Sequence, residues 1–188
     1  MDGNERRRPH VVLVGFMGVG KTTVGRRLAK ELQRPFADAD EQLELRAGRT
    51  IPMMFHDDGE EAFRRLESEV LADLLGRPHP LVVAAGGGAV NRAENRAVLS
   101  RRAFVVWLRA SAGFLAARTD PAHRPLLAAA PDPVSALDRL IAERAPLYEE
   151  VADAVVDVEP FHAGDDKPKR ALARHIAELL GTGARVSR

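Results

Sequence analysis

Eight consecutive residues, Gly15-Phe16-Met17-Gly18-Val19-Gly20-Lys21-Thr22, read as G-x-x-x-x-G-K-T and follow directly on the apolar run Val11-Val12-Leu13-Val14. Glycines at this spacing let successive backbone N–H groups point at one anion. Lys21 can then reach the β- and γ-phosphates of a nucleotide, and the Thr22 hydroxyl can take a place on Mg²⁺. Chance places the four fixed residues in roughly one chain in a thousand of this length, so composition alone does not explain the pattern. The helix that follows adds its positive end.

Two carboxylates stand two residues apart in Asp38-Ala39-Asp40. Alternate residues of an extended segment face the same way, so both can enter one cleft. A phosphoryl-transfer site needs carboxylates to hold Mg²⁺ and to orient or deprotonate the attacking hydroxyl. Asp40 as a plain cap of the next helix is the competing reading. Gly86-Gly87-Gly88 follows the apolar run Leu81-Val82-Val83-Ala84-Ala85 and offers only backbone to a γ-phosphate or to an acceptor's anionic group. A flexible turn is the alternative there. Three arginines have positions that chemistry could use. Arg64 stands beside Phe63 at the margin of an apolar helical stripe, Arg124 lies between Pro121 and Pro125 in a loop suited to a lid, and Arg144 precedes Pro146, where a helix is expected to kink or stop. Arg64 and Arg144 read equally as surface charges in so arginine-rich a chain.

The elements that must position these groups alternate. Apolar runs of strand length at 10–14, 35–38, 81–85, 103–108 and 154–158 are separated by helical patterns at about 21–33, 40–47, 51–55, 60–75, 92–100, 112–118, 133–150 and 169–180. Such alternation predicts a parallel sheet covered on both faces, with ligands at the carboxyl ends of its strands. Trp107 falls in a buried-strand pattern, and Phe16, Met17, Met53, Met54 and Phe55 read as core.

The chain has 188 residues, a net charge of +1, 45% hydrophobic and 29% charged residues and no cysteine. It is one domain over 9–180, with disordered tails at 1–8 and 181–188. The charge balance argues against a nucleic-acid or membrane-surface partner, and the lack of cysteine excludes disulfides and thiolate metal sites. The basic, polar N-terminus has no signal-peptide core, so a cytoplasmic location is expected; separately, the chain is expected to be a monomer. The six histidines show no metal-ligand spacing.

Taken together, the Gly15-to-Thr22 loop, Asp38-x-Asp40, Phe63-Arg64 after Gly59-Glu60, Gly86-Gly87-Gly88-Ala89-Val90, Arg124-Pro125-Leu126-Leu127 and Arg144-x-Pro146-Leu147-Tyr148 resemble the shikimate kinase family over about 10–180. The resemblance implies a three-layer α/β kinase fold with a five-stranded parallel sheet and a mobile lid at about 119–131. It further implies transfer of the ATP γ-phosphate to the 3-hydroxyl of shikimate, on the route to chorismate and the aromatic amino acids. By motif, Gly18, Val19, Gly20, Lys21, Thr22 and Thr23 hold the nucleotide, Thr22 and Asp38 serve Mg²⁺, and Arg118 stacks on adenine. Asp40, in the acceptor region at about 39–67, contacts the acceptor hydroxyls. Arg64, Arg144 and Gly87, flanked by Gly86 and Gly88, bind the shikimate carboxylate. Arg124 bridges the transferred phosphate and the acceptor, which makes Lys21, Asp40 and Arg124 the catalytic set. Met53 stands where the family often has an acidic residue, and the 118–124 segment is short. A gluconate kinase of the same fold shares the loop and lid, and an ATP-binding regulatory protein differs by having no turnover.

Overall fold

Val11, Val12, Leu13 and Val14 bury completely, as residues of a strand covered on both faces must. They form β1 (His10–Val14), the centre of a five-stranded sheet in a computed structural model that describes residues 10–118, 132–162 and 167–182. The other strands are β2 (Phe36–Asp38), β3 (Val82–Ala84), β4 (Ala103–Arg109) and β5 (Ala154–Asp157). All pairings are parallel and the order is β2-β3-β1-β4-β5, with Val12 opposite both Val83 and Val105. The chain builds one side of β1 first and then crosses to the other. The carboxyl end of β1 is therefore the switch point at which such sheets bind ligands.

Helices cover both faces: α1 (Lys21–Glu31), α2 (Ala39–Ala47), α3 (Ile51–Gly76), α4 (Ala93–Arg102), α5 (Ala112–Ala116), α6 (Pro133–Val151) and α7 (Pro168–Thr182). On one face Val12, Val83, Val105 and Trp107 pack against Leu71, Leu74 and Leu75 of α3, Leu99 of α4 and Tyr148 and Val151 of α6. On the other, Val11, Leu13, Val106 and Leu108 meet Val24 and Leu28 of α1, Leu137 of α6 and Leu172 and Ile176 of α7. Strand alternation sends neighbouring residues of β1 into different layers, and this fixes its register.

Several elements depart from expectation. The two helices expected at 51–55 and 60–75 are contiguous in α3 and stay distinct only through the non-helical Gly59 (φ 79°, ψ 172°) between them, the first being longer than expected. Pro146 neither stops nor ends α6, which runs on to Val151, because burial of Tyr148 and Val151 outweighs the one hydrogen bond that proline removes. Gly181 and Thr182 belong to α7 rather than to a tail. Met53 and Phe55 are exposed, and in the first half of α3 the buried residue is Met54 between them. The remaining tail residues, 1–8 and 183–188, and the lid at 119–131 lie outside the described residues, Arg124 with them.

Candidate active site

The loop from β1 to α1 is tightest at its first residue. Gly15 has φ 141°, and a Cβ there would run into the Leu108 carbonyl of β4, a backbone atom with no freedom to yield. Gly20 caps α1 with φ 96° and no side-chain bond, and the first turn of α1 contains no acidic residue. The helix thus presents its N–H groups and positive end to an anion without internal competition. Lys21 Nζ lies over the loop and donates to Gly15 O at 2.8 Å and Phe16 O at 3.1 Å.

Thr22 and Asp38 come together from α1 and β2. The Thr22 hydroxyl donates to Asp38 Oδ2 at 2.6 Å, while Asp38 Oδ1 accepts from the Asp40 N–H at 3.1 Å and so caps α2. The capping role weighed for Asp40 falls to Asp38, which leaves the Asp40 carboxylate for other work. That carboxylate points at the glycine turn: a Cβ on Gly86 would meet Asp40 Oδ1 at 2.8 Å and Glu67 Oε1 at 2.5 Å.

The turn after β3 is packed on three sides by charge. A Cβ on Gly88 would overlap the Arg64 guanidinium, whose Cζ would lie only 2.8 Å away. Close approach, rather than an unusual φ, is what demands glycine at 86 and 88. Arg64 Nη1 donates to Glu67 Oε2 at 2.9 Å and Nη2 to Glu60 Oε1 at 3.2 Å, and the guanidinium lies 5.0 Å from the Phe63 ring. The Arg64 side chain is 15% exposed and that of Glu67 4%, so the surface reading of Arg64 does not hold. The Gly87 carbonyl accepts from Tyr148 at 2.8 Å and from Arg144 Nη1 at 3.4 Å. Arg144 also lies 5.2 Å from the ring of Phe16 in the β1–α1 loop. Burial pushes the Glu67 carboxyl above the usual range, with Arg64 pulling the other way. Burial likewise raises the Tyr148 phenol to about 12, against the pull of Arg144.

Just after α5, the Arg118 guanidinium sits 3.6 Å from the centre of the Phe114 ring, which His162 meets edge-on at 5.1 Å. Among the described residues no cluster of three or more His, Asp or Glu could hold a metal. The hydroxyl–carboxylate pair of Thr22 and Asp38 instead fits Mg²⁺, which takes few protein oxygens and keeps waters and phosphates as its other ligands. The glycine loop, uncapped helix and Lys21 likewise fit a nucleotide triphosphate.

The family model described as shikimate kinase matches residues 17–180. A shikimate kinase of Methylococcus capsulatus is 43% identical over 182 residues, covering 96% of this chain and 98% of that protein. The chain belongs to the shikimate kinase family. The shikimate kinase of Acinetobacter baumannii in complex with shikimate superposes with a TM-score of 0.83 at 40% identity, covering 93% of this chain and 94% of that one. The shikimate kinase of Aquifex aeolicus gives a TM-score of 0.75 at 32% identity over 93% of this chain and 98% of that one. The enzyme is a shikimate kinase in fold and in chemistry: a P-loop α/β phosphotransferase that uses ATP and Mg²⁺ to phosphorylate shikimate on the route to aromatic amino acids.

The structure brings Lys21, Thr22, Asp38, Asp40, Arg64, Gly86, Gly87, Gly88 and Arg144 to one sheet edge. Arg118 stands apart beside Phe114. The sequence places Phe16 in the phosphate loop and Tyr148 in the Arg144 motif but gives neither their contacts with Arg144 and Gly87 nor the Glu67 partner of Arg64. The spacing of Glu67 three residues after Arg64 was the available signal for a helical ion pair. Tyr148 stands four positions after Arg144, which puts both on one face of α6 once the helix runs through Pro146.

Proposed function

We propose that the edge of the sheet divides into a nucleotide half and an acceptor half that meet at Gly87, and that the phosphoryl group passes between them to the 3-hydroxyl of shikimate. The observation that carries this reading is the packing of the two halves. Arg144 of the acceptor half lies on Phe16 of the phosphate loop, and a Cβ on Gly87 would stand 3.7 Å from the Met17 backbone nitrogen. Two substrates bound on either side are thereby held within transfer distance.

In the nucleotide half, the amides of Gly18, Val19, Gly20, Lys21, Thr22 and Thr23 and the Lys21 ammonium cradle phosphates. Thr22 and Asp38 hold Mg²⁺, and Arg118 supports adenine. MgATP supplies the phosphoryl group and neutralises part of its charge. In the acceptor half, Arg64 and Arg144 grip the carboxylate with fork geometry, and Gly86, Gly87 and Gly88 let the substrate approach the backbone. Asp40 orients the acceptor hydroxyl and takes its proton as the O–P bond forms. Arg124, on the lid at about 119–131, bridges donor and acceptor. The reading extends to a monomeric cytoplasmic enzyme folded as one domain over 9–180, with shikimate as its only acceptor and no nucleic-acid or membrane partner. The net charge of +1 speaks against the nucleic-acid and membrane partners.

The test separates the halves. Lys21→Ala should lower kcat by roughly 100- to 1000-fold, since it removes a preorganised donor to developing charge. Arg144→Ala should raise the acceptor KM by roughly tenfold or more and leave the ATP KM unchanged. A higher ATP KM with normal acceptor affinity in Arg144→Ala would reverse the assignment of the pocket.

A further inference from the structure

The Gly87 carbonyl has two donors, and the shorter bond comes from a residue with no role in the scheme above. Tyr148 is the chain's sole tyrosine and is 2% exposed. Its ring stacks on Trp107, the sole tryptophan, with centroids 5.5 Å apart and planes at 21°. Phenylalanine would fill that space equally well. The hydroxyl is therefore the part to be explained, because a buried phenol oxygen is costly unless it is bonded.

Its bond is to the acceptor turn. Tyr148 donates to Gly87 O at 2.8 Å, and Arg144, one turn earlier on α6, donates to the same oxygen at 3.4 Å. A carbonyl has two lone pairs, and two donors on it fix the direction of the peptide plane. The ring cannot follow a drifting turn, since β4 anchors Trp107 beneath it. The Arg144 guanidinium also packs over the Phe16 ring, 5.2 Å from its centre. The raised phenol pKa keeps the O–H a donor throughout the neutral range.

We propose that Tyr148 is a positioning residue for the acceptor: its hydroxyl holds the Gly87 carbonyl, and through it the glycine turn and Arg144, in the geometry that receives the acceptor's carboxylate. This rests on the assignment of Arg144 and the turn to the acceptor. Tyr148 touches neither substrate in this scheme, and it acts on affinity for one of them only.

Tyr148→Phe keeps the ring and deletes the bond, whereas Tyr148→Leu removes both. The Phe variant should stay folded, with a thermal midpoint lower by no more than a few degrees, and keep its ATP KM, while its shikimate KM rises roughly five- to tenfold because the acceptor turn is no longer held. Calorimetric titration with shikimate should show the same loss. If the Phe variant matches the wild type and only Leu is impaired, Tyr148 is packing and the proposal is overturned. Equal rises in both KM values would overturn it too. Titration of the wild type separates the two levels: no shikimate binding there would bring down the acceptor assignment itself, whereas normal binding with an indifferent Phe variant brings down only the role of Tyr148.

Discussion

Gly88→Ala probes the arginine proposed to fix the acceptor without replacing that arginine. The added methyl would occupy the space of the Arg64 guanidinium, with Cζ at 2.8 Å against 3.4–4 Å for an ordinary contact, and Nη2 at 2.9 Å. Gly88 has φ −105°, so alanine suits the backbone and the clash is the whole effect. What yields is the far end of a flexible side chain. Arg64 can swing outward toward Glu60, already a partner at 3.2 Å, and its head must retreat by about 1 Å, a displacement large enough to cost roughly 100-fold in a positioned site. Losing charge-assisted bonds to a carboxylate costs about 1.5–3 kcal/mol, a rise of roughly 10- to 100-fold in the shikimate KM. The assay is initial-rate kinetics with shikimate varied at saturating ATP and the reverse, with thermal melting as a control. The ATP KM should stay within about twofold, and the chain should stay folded at 25 °C. A shikimate KM equal to that of the wild type would refute the role given to Arg64. An equal rise in both KM values would assign the turn to the nucleotide.

Two further outcomes follow from buried ionisable groups. Glu67 has its carboxyl pKa raised because burial outweighs the Arg64 pairing, so its ionised form costs folding energy at neutral pH. Glu67→Gln should therefore raise the thermal midpoint at pH 7.5 by a few degrees, the scale of about 1 kcal/mol in a chain of this size, while lowering kcat/KM for shikimate by loosening Arg64. A lower midpoint would show that the ion pair is a net gain. His10, buried at the start of β1, accepts the Leu81 N–H on Nδ1, and burial lowers its pKa below 6.5, with Arg102 and Arg34 acting in the same direction. The folded state then binds fewer protons than the unfolded chain once pH falls below 6.5. Stability is full above that value and declines beneath it by at most about 1.4 kcal/mol per pH unit. Melting from pH 7.5 to 5.5 should show the wild type losing more than His10→Gln, and parallel curves would count against this.

Much of the site was legible because its signals are local. The phosphate loop, the Asp38-x-Asp40 pair and the three glycines each sit where a strand ends, and strands buried on both faces are conspicuous as unbroken apolar runs. The roles within the pair were less so. Only the fold shows that Asp38 serves Thr22 and the cap of α2 together, while the Asp40 carboxylate faces the glycine turn. Glu67 looked like one more charge in Glu60-Glu61-x-x-Arg64-Arg65-x-Glu67, and nothing local distinguishes the carboxylate that the sheet will cover from those that stay wet. Tyr148 belongs to the Arg144-x-Pro146-Leu147-Tyr148 motif, yet its contact with Gly87 is not legible there, because the burial that carries α6 through Pro146 and aims the phenol at the glycine turn is a tertiary effect. Met53 and Phe55 read as core because apolar residues usually are, yet they flank the buried Met54 on the exposed side of α3, with Phe55 4.4 Å from Phe63.

The central claim is that the phosphate loop and the arginine-lined pocket serve one transfer, from ATP to shikimate. The most direct measurement is a coupled nucleotide-release assay with ATP, Mg²⁺ and a panel of small hydroxyl acceptors, followed by ³¹P NMR of the product. The expected result is turnover with shikimate alone and a single phosphate ester at its 3-hydroxyl. Turnover of gluconate without shikimate, or ATP binding with no acceptor turned over, would contradict it.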